Sequence, residues 1–424
     1  MTTYFIETQG SAYNFADAEQ MAGLLEEAKF TLSPNVEEAD IVIFNTCRIR
    51  EPADDAFFNH LEEVKKAYPY KIIIIAGGIT PADSEKLKKY PLISTYNIHK
   101  VVEVVEEALN DNIVKELGTD ELPPLSMPKV RKNPFMEIIP IARGNVEASS
   151  LSKNKPSRGN ITSYSINEIK TQVERGVKEG VKEIWLTSED NGSYGFDLQT
   201  NLAALLKELI QIPGDFKIHV GTIHPGNFFK IKDELIPLLK HPKVFHYLHL
   251  PVQAGSNAIL KAMNCLYTKE EYIKAVQELK LETPDLTLVT NIIVGFPGET
   301  EEQHWETINL LRTTAPDYIN ISRFLPLPKT PAAKMEPLPI EVIQHRSKVI
   351  TDIFHNIAKL QNERWQGWEG EIIIHNKGTE PGQWVGRNDA YKPVLVTGNV
   401  SPGQVVLVRI TQTEILDLKG EVIP

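Results

Sequence analysis

Three successive patterns along the 424 residues predict an α/β chain built of three units. Strands alternate with helices over residues 1–115. The alternation resumes over 137–365, and residues 366–424 carry only short strand-like runs broken by glycine and proline. A parallel sheet covered on both faces, a partial (β/α)6 barrel and a small β-barrel are the layers these patterns require. At about 150 residues per domain, the length accommodates all three.

In the first unit, Tyr4–Glu7 reads as a strand and residues 17–28 as a helix. Asp40–Phe44 and Lys71–Ala76 are continuous apolar strands, the pattern of a sheet buried on both sides. A helix over Ala53–Ala67 separates them, and helical stretches follow at 82–89 and 100–109. The layout is flavodoxin-like, with ligands expected beyond the strand C-termini. Ser11, Cys47 and Gly78 each follow a strand and are expected on one rim. Residues 116–136 contain Gly118, Pro123, Pro124, Pro128 and Pro134, which break regular structure. They read as a linker. Its basic cluster, Lys129, Arg131 and Lys132, is expected either in solvent or against RNA.

The second unit has strands at 137–142, 183–187, 216–220, 244–250, 286–293 and 318–324. Ser165 and Glu168 form a capping box ahead of a helix whose stripe is Ile166, Ile169, Val173 and Val177. In such barrels chemistry sits at strand C-termini. The tails here are Thr187–Asp190, Leu250–Gln253 and Val294–Gly298. Ser188, Gln253, Gly295 and Gly298 are the cofactor-binding candidates, the glycines because they let backbone approach a ligand. Glu189 and Asp190 invite an acid–base role, yet strand-end hydrogen bonding is the simpler use, and no catalytic residue is assigned. His219, His224, His246 and His249 lie on or beside strands and are expected to be hydrogen-bonded groups, not metal ligands. A long helix over Ile340–Trp365 leads to strand-like runs at 371–374, 393–396, 405–410 and 413–418.

The formal net charge of −11 excludes a protein coated in phosphate-binding residues, though not a local basic patch. No apolar run approaches the roughly 20 residues a membrane helix needs. The two cysteines, Cys47 and Cys265, imply no disulfide framework. They are expected to be buried structural thiols in a cytoplasmic protein.

With these residues in view, the chain resembles the radical S-adenosylmethionine tRNA methylthiotransferases, in the archaeal and eukaryotic branch acting on N6-threonylcarbamoyladenosine. The resemblance runs essentially full length. Thr8–Asn14 and Phe44–Arg50 match the opening motifs of the first module. Leu186–Asp190 with Tyr194–Gly195, Leu248–Ser256, Ile293–Thr300 and Asn320–Arg323 match the radical-SAM-type core. Gly386–Pro393 matches the TRAM module, which implies RNA contacts at Arg387, Tyr391 and Lys392. The resemblance implies tRNA as partner.

The departures are specific too. The core's cluster loop has the order C-x3-C-x2-C in the family, and its positions here are Asn145, Ser149 and Ser152. The first module's three cysteine positions hold Ser11, Cys47 and Gly78. Cys265 replaces an arginine, Asn291 an acidic residue and Lys329 a glycine. Thiolates are the ligands iron–sulfur clusters use, and serine and asparagine are poor substitutes. The expectation is therefore no resident cofactor: no iron–sulfur cluster, no metal, and S-adenosylmethionine held weakly at most. Functionally this predicts a degenerate, non-catalytic member that binds tRNA or a partner protein, including a cysteine-complete relative. The alternative is an active methylthiotransferase or a non-radical enzyme on the same scaffold.

Overall fold

Residues 41–46 and 72–77 are buried along almost their whole length because both faces of their sheet are covered. In the computed structural model, which describes residues 2–46, 53–79, 81–118, 121–144, 160–326 and 332–424, they lie at the centre of a six-stranded parallel sheet. Its strands are β1 (Thr3–Gln9), β2 (Thr31–Leu32), β3 (Ile41–Thr46), β4 (Ile72–Gly77), β5 (Leu92–Ser94) and β6 (Lys115–Glu116). They run in the order β2-β1-β3-β4-β5-β6. The helices are α1 (Ala12–Glu27), α2 (Ala53–Ala67), α3 (Pro81–Lys86) and α4 (Val101–Leu109). Alternate residues of β3 serve opposite faces. Ile41 and Ile43 join Met21, Leu25 and Val104, whereas Val42 and Phe44 join Phe57 and Leu61.

Helix α1 begins well ahead of the expected Asp17. Its buried face carries Asn14, Asp17, Glu19 and Gln20, so no apolar stripe announces it. That face is polar because it meets the rest of the chain, not the sheet alone. The 121–135 segment lies across α1: Val130 N–H donates to the Glu19 carbonyl at 2.9 Å, and a Cβ on Gly23 would sit 2.3 Å from the Pro128 carbonyl. Lys129 and Arg131 both pair with the buried carboxylate of Glu137, and Arg131 also reaches Glu179 at 2.6 Å. The expectation of a solvated or RNA-facing basic linker is thus corrected for these two residues. A buried carboxylate demands compensating charge, and they supply it.

The second unit starts with β7 (Met136–Pro140), followed by the short antiparallel pair β8 (Ala142–Arg143) and β9 (Thr162–Ser163). Strands β10 (Glu183–Thr187) and β11 (Lys217–Val220) pair in parallel with β7 in the order β11-β10-β7. Strands β12 (Tyr247–His249), β13 (Thr287–Val294) and β14 (Tyr318–Arg323) form a second parallel trio. A parallel bridge between Ile218 and Val244 joins the trios into the expected six-stranded partial barrel. Outside it lie α5 (Ile166–Lys178), α6 (Leu202–Leu209), α7 (Pro225–Leu239), α8 (Asn257–Ala262), α9 (Lys269–Glu282), α10 (Glu301–Thr314) and α11 (Ile340–Glu363). Capping boxes begin α5, α9 and α10, at Ser165/Glu168, Thr268/Glu271 and Thr300/Gln303. The largest apolar core fills the space between these helices and the strands, around Ile184, Leu205, Phe228, Leu248, Leu279 and Leu311.

The last unit is a closed five-stranded barrel in the order β15-β16-β17-β19-β18. Its strands are β15 (Glu369–Lys377), β16 (Gln383–Arg387), β17 (Pro393–Thr397), β18 (Val405–Thr413) and β19 (Leu418–Val422). The strand expected over 413–418 is instead a turn, closed by Glu414 N–H to the Asp417 carbonyl, and the true strand starts at Leu418. Among the described residues, no helix is long and apolar enough to cross a membrane.

Candidate functional site

Four neighbouring strands of the partial barrel bring polar side chains, on or just after them, into one hydrogen-bonded chain. His249, at the end of β12, contacts Thr222 Oγ1 through Nδ1 (2.8 Å) and Asn291 Oδ1 through Nε2 (2.7 Å). Asn320 Nδ2 donates to the same Asn291 oxygen at 3.0 Å. Because Asn291 Oδ1 accepts from Asn320, it accepts from His249 too, so Nε2 carries the proton and Nδ1 accepts from Thr222. Burial holds the His249 pKa below that of a free histidine, which keeps the ring neutral, although the bond to Asn291 opposes the shift.

Gln253 sits one step further along the rim. Its backbone is left-handed (φ 73°), and it bridges to β13 by accepting from Ile293 N–H and donating to the Asn291 carbonyl, both at 2.9 Å. Ser188, after β10, donates to Asn191 Oδ1 at 2.6 Å, and Asn191 Nδ2 returns to the Leu186 carbonyl at 2.9 Å. After β13 the chain turns through Gly295 (φ 81°) and Gly298 (φ 80°). Both conformations penalise a side chain. At Gly295 a Cβ would also stand 2.6 Å from Ile343 of α11, whereas at Gly298 the nearest atom is Met335 Cε at 3.9 Å. The structure therefore places Ser188, Gln253, Gly295 and Gly298 at the C-terminal ends of their strands. Sequence reasoning missed Thr222; it expected His249 to be a hydrogen-bonded group, as it is, and named Asn320 only as the start of a motif. Their position just after or within strands was the available signal.

The other candidates are drawn into internal structure. Asp190 is buried and accepts from the backbone amides of Gly192 and His224 and from Asn227 Nδ2, at 2.9, 2.8 and 2.7 Å. It caps a turn. His224 packs its ring on Tyr267, and His246 bonds to Asp285 at 2.8 Å. His219 lies among Trp185, Tyr247 and Tyr391, where burial and then the Arg387 cation push its pKa down to about 3. The four histidines have separate partners and do not converge.

The RNA-binding candidates of the last unit also turn inward. Tyr391 is buried against Trp185, His219, Phe245 and Tyr247 of the partial barrel. Arg387 lies over its ring at 4.9 Å and donates to the Tyr391 carbonyl. Lys392 is fully buried, 2.8 Å from both Asp317 and Asn362 Oδ1. In this structure, Tyr391 and Lys392 dock the last unit onto the second; neither is offered to a ligand. The expectation of RNA contact through Tyr391 and Lys392 is corrected accordingly, since buried cations need a carboxylate and Asp317 provides it.

In the first unit, Ser11 follows β1 and Gly78 follows β4, its amide donating to the Thr46 carbonyl at the end of β3. Cys47, Asn145, Ser149, Ser152 and Lys329 lie outside the described residues. Arg143, at the end of β8, reaches across to the first unit. Its guanidinium is fully buried in the first unit, bonded to Asp17 Oδ1 (2.8 Å) and to the carbonyl and hydroxyl of Thr95, and it lies over the Tyr13 ring at 4.7 Å.

A flavodoxin-like sheet, a six-stranded partial barrel with a polar, glycine-turned rim, and a closed five-stranded barrel define a class: radical S-adenosylmethionine proteins carrying a TRAM domain. Family models match in that order: "Uncharacterized protein family UPF0004" over residues 3–96, "Radical SAM superfamily" over 145–311 and "TRAM domain" over 363–423. The chain belongs to the threonylcarbamoyladenosine tRNA methylthiotransferase family. It is 35% identical to the Homo sapiens protein of that name over 98% of this chain and 73% of that one. It is also 35% identical to the probable Pyrococcus abyssi enzyme, over 89% of this chain and 90% of that one. Among solved structures, the radical S-adenosylmethionine methyltransferase TsrM from Kitasatospora setae shares the fold. With tryptophan substrate and a SAM analogue bound, it matches at TM-score 0.55 and 12% identity, covering 78% of this chain and 75% of that one. The same protein with cobalamin and a [4Fe-4S] cluster bound matches at TM-score 0.54.

These matches correct the expectation of no cofactor. The superfamily model names S-adenosylmethionine, and the fold neighbour is described with both a SAM analogue and an iron–sulfur cluster. The residues present fit the first group. The neutral Thr222–His249–Asn291–Asn320 chain and the side-chain-free turn at Gly295 and Gly298 suit a nucleoside with a short polar tail. The second group takes thiolate ligands. The loop positions are asparagine and serine by sequence. Cys265 is half-buried, and its thiol is pushed up by burial to about 11, against a bond with Tyr267. That is the opposite of the thiolate a metal takes.

Proposed function

We propose that this chain works on tRNA carrying N6-threonylcarbamoyladenosine, in the methylthiotransferase reaction for which its relatives are named. The observation that carries the reading is the 35% identity over 98% of the chain. Three family models in one order support it. S-adenosylmethionine, when bound, supplies activated one-carbon and adenosyl chemistry. This chain's residues bind and orient it: the backbone at Gly295 and Gly298 approaches the nucleoside, and His249, held neutral between Thr222 and Asn291, presents a fixed hydrogen-bonding edge. The TRAM-type barrel holds tRNA. The expected cytoplasmic location is part of the same reading.

One observation favours a second reading, a member that holds tRNA without turning it over. Positions 145, 149 and 152, spaced as C-x3-C-x2-C, carry asparagine and two serines. In that reading a cysteine-complete relative is the natural partner. One experiment separates the two. The purified chain, after reconstitution with iron and sulfide, is incubated anaerobically with S-adenosylmethionine, reductant, excess sulfide as sulfur donor, and tRNA with or without the modified nucleoside. Nucleoside mass analysis and a binding assay follow. Several methylthiolated products per chain support the first reading. Preferential binding of modified tRNA with no product supports the second. Neither product nor preference sinks both.

A further inference from the structure

The turn at the nucleoside site is shaped from behind by a helix that lies outside every motif. Glu299, which closes the turn, is 3% exposed and Arg346 of α11 is 5% exposed. Arg346 Nη1 donates to the Glu299 carbonyl at 3.0 Å and to Glu299 Oε2 at 2.8 Å. The same Oε2 accepts the Gly295 amide at 3.4 Å. Ile343, one turn earlier on α11, fills the space a Gly295 side chain would need. At its far end α11 is pinned as well: Asn362 donates to the Glu414 and Ile415 carbonyls and accepts from Lys392. The helix spans 24 residues, about 36 Å at 1.5 Å per residue.

A buried arginine–glutamate pair is a weak source of net stability, because desolvation offsets most of the attraction. Its geometry is another matter. A guanidinium that bonds both the carbonyl and the carboxylate of one residue leaves that residue little freedom to rotate. Here that residue is Glu299, whose carboxylate reaches back to the first amide of the turn.

We propose that Arg346 is a positioning residue of the nucleoside site, setting the Gly295–Glu299 turn from behind without touching the ligand. The inference rests on reading that turn as part of an S-adenosylmethionine site. The test uses the full chain, S-adenosylhomocysteine as probe in calorimetry, and hydrogen exchange of the peptide covering 293–299. Arg346→Lys keeps the charge and loses the planar guanidinium, whose Nη1 serves both Glu299 oxygens and whose Nη2 reaches Glu301 Oε2 at 3.3 Å. The double variant Glu299→Gln/Arg346→Met removes both charges, which guards against a misfolded single variant. The expected result is at least a tenfold loss of affinity in both variants, faster exchange in the 293–299 peptide without ligand, and a melting temperature in the double variant close to that of the unaltered chain. Affinity within twofold of the unaltered chain, or unchanged exchange, overturns the role of Arg346 alone. No binding by the unaltered chain overturns the nucleoside reading, and this role with it.

Discussion

Residue type at the docking surface between the second and last units misleads when read alone. Tyr391 and Lys392 look like stacking and cationic groups for RNA, yet both are buried in this structure. Burial lowers the Lys392 pKa, and Asp317 at 2.8 Å opposes that shift. Replacing Lys392 by Met leaves buried Asp317 with Arg364, at 3.1 Å, as its remaining ion-pair partner among the described residues. We expect a loss of about 3 kcal/mol in chemical denaturation, the range for breaking a buried pair. Unchanged stability with weakened RNA binding would restore the surface role. At the rim, Asn291→Asp puts a carboxylate where an amide oxygen now sits 2.7 Å from His249 Nε2. The negative charge favours the imidazolium, so the His249 titration midpoint should rise in an NMR pH series. A midpoint that stays put would show that His249 does not face position 291 in solution.

At the scale of elements, the strands and capped helices were largely legible, and the turns they support were not. The Ser165/Glu168 capping box and the apolar runs of β3 and β4 are local signals, and they fell where expected. Gly295 and Gly298 were legible as a tight turn. Nothing in sequence distinguished them, yet the structure does. Both have positive φ, but only Gly295 is backed by α11. Gly295→Ala should therefore cost about 2 kcal/mol or more, left-handed strain plus the clash with Ile343, and Gly298→Ala about 1 kcal/mol, from strain alone. Equal losses in paired denaturation curves would mean that α11 does not press on the turn. Thr222 and Arg346 escaped notice because each belongs to the site only through a neighbour on another strand or helix.

At the scale of the molecule, the first unit is bound to the second through buried charge. Arg143 enters the first unit at Asp17 and Thr95, while the 121–135 segment crosses α1 and delivers Lys129 and Arg131 to Glu137. Glu19 lies in this seam. One carboxylate oxygen accepts the Lys132 amide at 3.0 Å and the other is buried without a hydrogen-bond partner. Burial, against that bond, raises its pKa to about 7. The folded state then holds a proton that the unfolded chain, titrating near 4.5, releases between about pH 4.5 and 7. This contribution to stability is full below pH 4.5 and is lost as pH rises through 7, by about 3 kcal/mol at most. Glu19→Gln should flatten that part of the stability–pH curve and stabilise the protein at pH 8. A curve with the same slope as the unaltered chain would show that Glu19 ionises freely in the folded state.

Order and type of the three units, the long buried strands and the glycine turn were determined by the sequence itself. They depend on neighbours within one helical turn or one strand, and hydrophobic pattern reports such neighbours directly. Only the tertiary structure decided where the cations went. Lys129, Arg131, Arg143 and Lys392 carry charges that suit RNA as well as they suit a carboxylate. Their partners, Glu137, Asp17 and Asp317, become partners only when separate elements pack and a buried carboxylate must be compensated. Charge sign is written in the sequence; burial, which selects the partner, arises only on folding.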